Sequence, residues 1–155
     1  MNLKIILILS LSHICADLTG AALPAIMPLF KETLHLSFTA VGTVIMVSHL
    51  TSSVIQPCSG YISDRIRIKW LLPVAFLLIM AGFVFVGLAS SYSILLLLVV
   101  VNGIGLAIYH PEGMKLMHFF TGPRMATWTP FYSVLTPEYH QTLASPVTAP
   151  PAGYP

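Results

Sequence analysis

The sequence predicts an all-α, polytopic membrane protein of four transmembrane helices, and three observations carry that prediction. Mean hydropathy is +0.87. Only 8% of the 155 residues are charged, against the quarter or so with which a soluble domain covers its surface. Four apolar stretches reach the roughly 20 residues that a helix rising about 1.5 Å per residue needs to cross a hydrocarbon core of ~30 Å.

The first stretch, 5–30, is interrupted by one acid, Asp17, and the second, 38–62, has no formal charge. The third and fourth, 70–89 and 92–109, are separated only by "SSYS" at 90–93, and no charge lies between Trp70 and Pro111. They read as a helical hairpin. Lys4 before an apolar run has the look of a signal peptide, but the apolar character continues past Ala22. A lipoprotein site at Cys15 fails because Ile14 stands where a small residue is needed. The first stretch is therefore expected to remain as a span. Cys15 and Cys58 lie inside apolar runs and form no disulfide framework. A net charge of +2 gives no footprint for nucleic acid.

The basic residues set an expected direction. With the N-terminus inside, Lys4, Arg65, Arg67, Lys69, Lys115 and Arg124 fall on the cytoplasmic side and only Lys31 falls outside. That bias predicts a multi-pass protein of the cell membrane with both termini cytoplasmic. Four of the twelve charged residues crowd into positions 64–69, within "GYISDRIRIKW" (60–70). On residues alone, this knot is a short cytoplasmic turn that anchors spans two and three.

The polar residues inside the spans are the candidate functional residues. A carboxylate at a helix centre costs about 2.5–3.5 kcal/mol on insertion scales, so Asp17 must face a wet cavity, find a partner or take up a proton. His13 lies one turn earlier on the same face, which Ala21, Pro24 and Pro28 continue. The two form either a proton-responsive pair or a polar contact between helices. Span two carries Gly42, His49, Ser52, Ser53, Gln56 and Gly60 along one stripe. The stripe suits a transport path, chiefly at His49 and Gln56, or interhelical hydrogen bonding, chiefly at the serines. On span four, Asn102, Gly105 and Tyr109 share a face beside Gly103, which reads as close packing or as pathway lining. His110-Pro111-Glu112-Gly113 is expected to end that helix and is a candidate cytoplasmic gate.

Catalysis finds no support. There is no His-Glu-x-x-His, no Gly-x-Ser-x-Gly and no phosphate-cradling glycine loop. His110 and Glu112 are too close together for a zinc-binding helix, so neither a metal nor another cofactor is expected.

Several segments carry a family likeness. "SLSHICADLTGAALPAIMPLF" (10–30), "LTSSVIQPCSGYISDR" (50–65), "WLLP" (70–73) and "NGIGLAIYHPEG" (102–113) resemble the fosmidomycin-resistance branch of the major facilitator superfamily. The likeness runs in order over about residues 8–127. The knot resembles the superfamily's loop between helices two and three, with Gly60, Asp64, Arg65 and Lys69 in matching places. Arg67 stands where a second glycine is usual, and Ile68 replaces a basic residue. Val99 occupies the place of the usual fourth-helix arginine, which weakens antiport by that route. The resemblance implies a proton-coupled exporter of small-molecule drugs in its complete form. It also implies a gating role for the knot, with Asp64 reaching a helix end in the second half. It further implies the superfamily's twelve helices in two halves built from three-helix repeats.

Only four of those helices are present. The domain reading is a partial transporter over 1–113, a cytoplasmic loop over 114–128 and a divergent tail over 129–155, expected to be disordered. The stretch where a fifth helix should stand holds six of the twelve prolines, which break helices. The expectation is a truncated, inactive transporter fragment in which Asp64 pairs only with neighbours such as Arg65, unless a companion chain supplies the rest. The alternative is a small four-helix membrane protein that acts by oligomerisation, as a compact multidrug exporter or a structural subunit.

Overall fold

A computed structural model describes residues 3–65 and 70–122. Within them the chain forms α1 (Leu3–Thr33), α2 (Phe38–Arg65), α3 (Leu71–Val86) and α4 (Tyr92–Thr121), with no strand. Three helices, α1, α2 and α4, are long and apolar enough to cross a membrane, whereas α3 is an apolar helix of 16 residues. The chain is an all-α, multi-pass membrane protein.

Short connections make neighbouring helices antiparallel, and three layers of side chains show it. Leu23, Met27 and Phe30 near the end of α1 pack with Val44 near the start of α2, Val86 at the end of α3, and Leu95 and Val99 near the start of α4. Ala16, Ala75, Ile79, Leu106 and Tyr109 form the middle layer. Ile6 and Leu9 meet Met117 in the third. The buried side of α1 is a single stripe, Ile6, Leu9, His13, Ala16, Thr19, Leu23, Met27 and Phe30, spaced three or four residues apart as a helix requires. His13 and Thr19 are its polar members.

α4 is the centre of the bundle because glycines let its backbone approach two neighbours. A Cβ on Gly105 would lie 2.7 Å from Ile79 N, and one on Gly103 would lie 3.0 Å from Thr51 Cβ. On the facing helix, a Cβ on Gly82 would lie 2.6 Å from Asn102 N. Among lipid tails an apolar side chain gains nothing by leaving its solvent, so helices associate through this close van der Waals fit and a few hydrogen bonds.

α1 and α2 extend two or three residues past the expected stretches, and α3 and α4 end elsewhere than expected. α3 stops at Val86 rather than 89, because the N–H groups of Gly87, Leu88 and Ala89 bond three residues back, to Val84, Phe85 and Val86. Those tighter turns end the α-helix. α4 does not end at 109 with the His-Pro-Glu-Gly run. It continues through Pro111 and Gly113 to Thr121, so the expected loop over 114–128 is helical as far as 121. The reason is a contact with α2. Pro111 has no N–H for the carbonyl of Ala107, one turn earlier, and Ser59 of α2 donates its hydroxyl to that oxygen at 2.6 Å. A neighbouring serine that re-satisfies the freed carbonyl is how membrane helices tolerate proline. The helix ends instead at Gly122, in the left-handed region at φ 52°, with its N–H bonded to His118 O. At the starts, Ser91 accepts from Ile94 N at 3.4 Å and Ser37 accepts from Ala40 N at 3.1 Å, as N-caps.

Lys69, Arg67 and Arg124, and the expected disordered tail over 129–155, lie outside the described residues.

Candidate functional site

The middle layer places Asp17 between two imidazoles. His13, one turn before it on α1, brings Nε2 to 3.2 Å from Asp17 Oδ2. His110, carried by α4, brings Nε2 to 3.7 Å from Asp17 Oδ1. The first distance is within hydrogen-bond reach, and the second is close enough for a charge pair but long for a hydrogen bond. The three side chains are 8%, 13% and 28% exposed for His13, Asp17 and His110, so the group runs from a buried end to a wetter one. An acid and two imidazoles in series can hold a proton and pass it along.

Tyr109 forms one wall. It is fully buried, and its ring lies 6.1 Å from that of His13, nearly parallel. Its hydroxyl is 2.5 Å from Ser12 Oγ and 3.5 Å from Leu9 O. Asn102 sits deeper in the bundle. Its amide donates to Thr19 Oγ1 at 3.2 Å and to Ile79 O at 3.0 Å, tying α4 to α1 and α3. A buried amide engaged on two sides has become part of the packing.

A second polar centre joins α2 to α4 through Lys115. Its ammonium lies 2.7 Å from Asp64 Oδ1 and 3.2 Å from Glu112 Oε1, and it donates to Gly60 O at 3.4 Å and to Ser63 Oγ. The expectation that Asp64 pairs only with neighbours such as Arg65 is corrected here. Arg65 lies instead over the ring of Tyr61, 4.5 Å from its centroid, while Lys115 reaches across from the part of α4 that Ser59 helps extend past Pro111. Gly60 faces Pro111, with a built Cβ 3.7 Å from Pro111 Cβ.

The sequence-derived candidates thus divide. His13, Asp17, Tyr109 and His110 come together. His110 belongs to this group rather than to the Gly60, Asp64 and Glu112 centre, where the sequence reading had put it. His49 and Gln56 are exposed on the outer side of α2, with Ser53. Lys69 lies outside the described residues.

Lys115, Ser12, Thr19 and Ser63 were missed by sequence reasoning. Lys115 counted only as a basic residue on one side of the membrane. Its position three residues after Glu112, on a helix that could continue, was the available signal. Ser12 and Thr19 carried none, because a single hydroxyl in an apolar run is ordinary.

Comparison with known proteins agrees with this architecture. The sequence model of the Major Facilitator Superfamily matches residues 9–145, reaching beyond residue 127, where the motif likeness fades. The fosmidomycin resistance protein of Escherichia coli is 32% identical over 116 residues, covering 75% of this chain and 29% of that protein. An uncharacterized MFS-type transporter of Bacillus subtilis, YfnC, is 30% identical over 130 residues, covering 84% of this chain and 32% of that protein. The chain therefore spans about a third of the length of these curated relatives. No solved structure matches it significantly.

Proposed function

Since the chain belongs to the major facilitator superfamily, we propose that its helices form part of the N-terminal half of a proton-coupled exporter of small-molecule drugs. The observation that carries this reading is the Asp17 carboxylate flanked by imidazoles from two helices, His13 on α1 and His110 on α4. A membrane chain holds such a group inside its spans when the group moves ions or pairs with something that does. Asp17 is the proton-linked group in this proposal. His110, the most exposed of the three, is its link to water.

The substrate path runs past the exposed polar side of α2, His49, Ser53 and Gln56, which in a longer transporter faces a cavity closed by further helices. Gly60, Asp64 and Glu112, gathered at Lys115, form the cytoplasmic gate together with Arg65 and Lys69 of the charged knot. Drug efflux is suggested by the name of the Escherichia coli relative and by the sequence likeness. The placement of both termini on the cytoplasmic side rests on the basic-residue bias.

Asp17→Asn, made in a longer transporter that carries residues 1–122 as its first helices, is expected to abolish drug export while leaving expression intact. Undiminished resistance in that variant would reduce Asp17 to a packing residue. The 155-residue chain alone, in vesicles, is expected to transport nothing, because the four helices among the described residues enclose no cavity that can open alternately to two faces. Gradient-driven transport above empty vesicles, lost in Asp64→Ala, would overturn that half of the proposal.

A further inference from the structure

We propose that His13, Asp17 and His110 also form a binding site for a divalent transition-metal ion of the zinc type, bridging α1 and α4. One donor atom from each side chain lies within 4.8 Å of the other two. Two imidazole nitrogens and one carboxylate oxygen are a donor set that zinc accepts, with the fourth position left to water or hydroxide. Ligands 2.0–2.1 Å from a tetrahedral zinc stand about 3.3 Å from one another.

His13 Nε2 stands 3.2 Å from Asp17 Oδ2, which fits that value, and His110 Nε2 stands 3.7 Å from the other oxygen, Oδ1; with one oxygen as the ligand, the widest separation among the three donors is still within 4.8 Å. Shifts of under about 1 Å per side chain draw all three onto one ion at zinc's bond lengths. His110 is the side chain with room to move, being 28% exposed. Helical geometry has preset half of the site, because His13 and Asp17 stand one turn apart on the same face and present two donors in a fixed relation.

Charge favours a cation here. Asp17 supplies a carboxylate, and the ammonium of Lys115, further along α4, is engaged by Asp64 and Glu112. Zinc and imidazole are well matched in softness, and the single carboxylate makes calcium or magnesium, which take more oxygens, a poor fit. A bound ion would lock α1 to α4 at the level of the middle layer. The proposal does not rest on proton-coupled transport: the chain can bind metal whether or not the trio carries protons, and binding is read without any transport assay.

The test uses the purified full chain in detergent, stripped of metal with a chelator and titrated with Co2+, whose visible d–d bands report four-coordinate binding. One cobalt per chain is expected, displaced by Zn2+. His13→Ala, Asp17→Asn and His110→Ala should each weaken binding roughly 100-fold or more, since even outer-shell partners of a metal are worth 10–100-fold. His118→Ala, at an exposed position near the end of α4, should leave binding unchanged. Circular dichroism checks that each variant keeps its helices.

If an alanine variant fails to fold, His110→Cys still decides the matter, because it keeps a donor at that place. Cobalt bound to it should gain a thiolate-to-metal charge-transfer band absent from the parent. Failure of the parent chain to bind one ion saturably would overturn the proposal. So would binding that survives all three variants, or a folded His110→Cys that binds cobalt without the new band.

Discussion

Ser59→Ala isolates the contact that lets α4 run through a proline. Ser59 Oγ lies 2.6 Å from Ala107 O and 2.9 Å from Gln56 O in its own helix. With Pro111 one turn ahead, Ala107 O has no helical N–H to accept from, and Ala107 is fully buried. Removing the hydroxyl leaves that carbonyl unsatisfied. The cost of a stranded buried acceptor is about 1–3 kcal/mol, and interhelical hydrogen bonds in membranes run from about 0.6 to 1.7 kcal/mol, so a loss of ~1.5 kcal/mol is expected. In a Pro111→Ala background, residue 111 regains an N–H and can bond Ala107 O itself. There, Ser59→Ala should cost only about 0.5 kcal/mol. The double-mutant cycle therefore predicts a coupling of ~1 kcal/mol, outside the ~0.3–0.5 kcal/mol within which independent sites add. Equilibrium unfolding in mixed micelles, followed by circular dichroism, measures all four corners. Additive costs within that error would show that Ser59 does nothing for the proline and that α4 is held past Pro111 by other means.

Three further outcomes are expected. Gly82→Ala places a methyl 2.6 Å from Asn102 N and should destabilise the bundle by about 1–3 kcal/mol through overpacking, whereas Gly42→Ala, with nothing within 4 Å, should stay within ~0.5 kcal/mol; the same unfolding measurement compares them. Lys115→Met should cost about 1–3 kcal/mol in that assay, because it strands the carboxylate of Glu112, only 14% exposed, while the pair with Asp64, 68% exposed, is worth little; an unchanged stability would show that Glu112 finds another partner. In a chain whose Cys15 and Cys58 are replaced by alanine, an impermeant thiol reagent applied from outside should label Ser91→Cys and spare His118→Cys, and the reverse pattern would invert the proposed orientation.

Most of the fold was legible because its signals are local. Runs of apolar residues set three of the four helices to within a few residues. The two errors share a cause. Proline at 111 is read from its own chemistry as a stop, and nothing local announces that a hydroxyl from α2 will supply its missing bond. The end of α3 was misplaced because apolar residues at 87–89 look the same whether their amides bond three or four residues back.

For the candidate site, the sequence alone determined the pair on one helix: Asp17 in an apolar run, and His13 one turn before it, share a face because 3.6 residues make a turn. It also determined that charge collects at the α2–α3 connection. The tertiary structure decided the rest. Packing of α4 antiparallel to α1 sets His110 level with Asp17, and its close approach to α2, where Gly103 meets Ser48 and Thr51, carries Lys115 to Asp64. It also turns Asn102 into a tie between three helices and leaves His49 and Gln56 outside. These are contacts between residues tens of positions apart, set by where two backbones can approach, and no spacing along the chain encodes that distance.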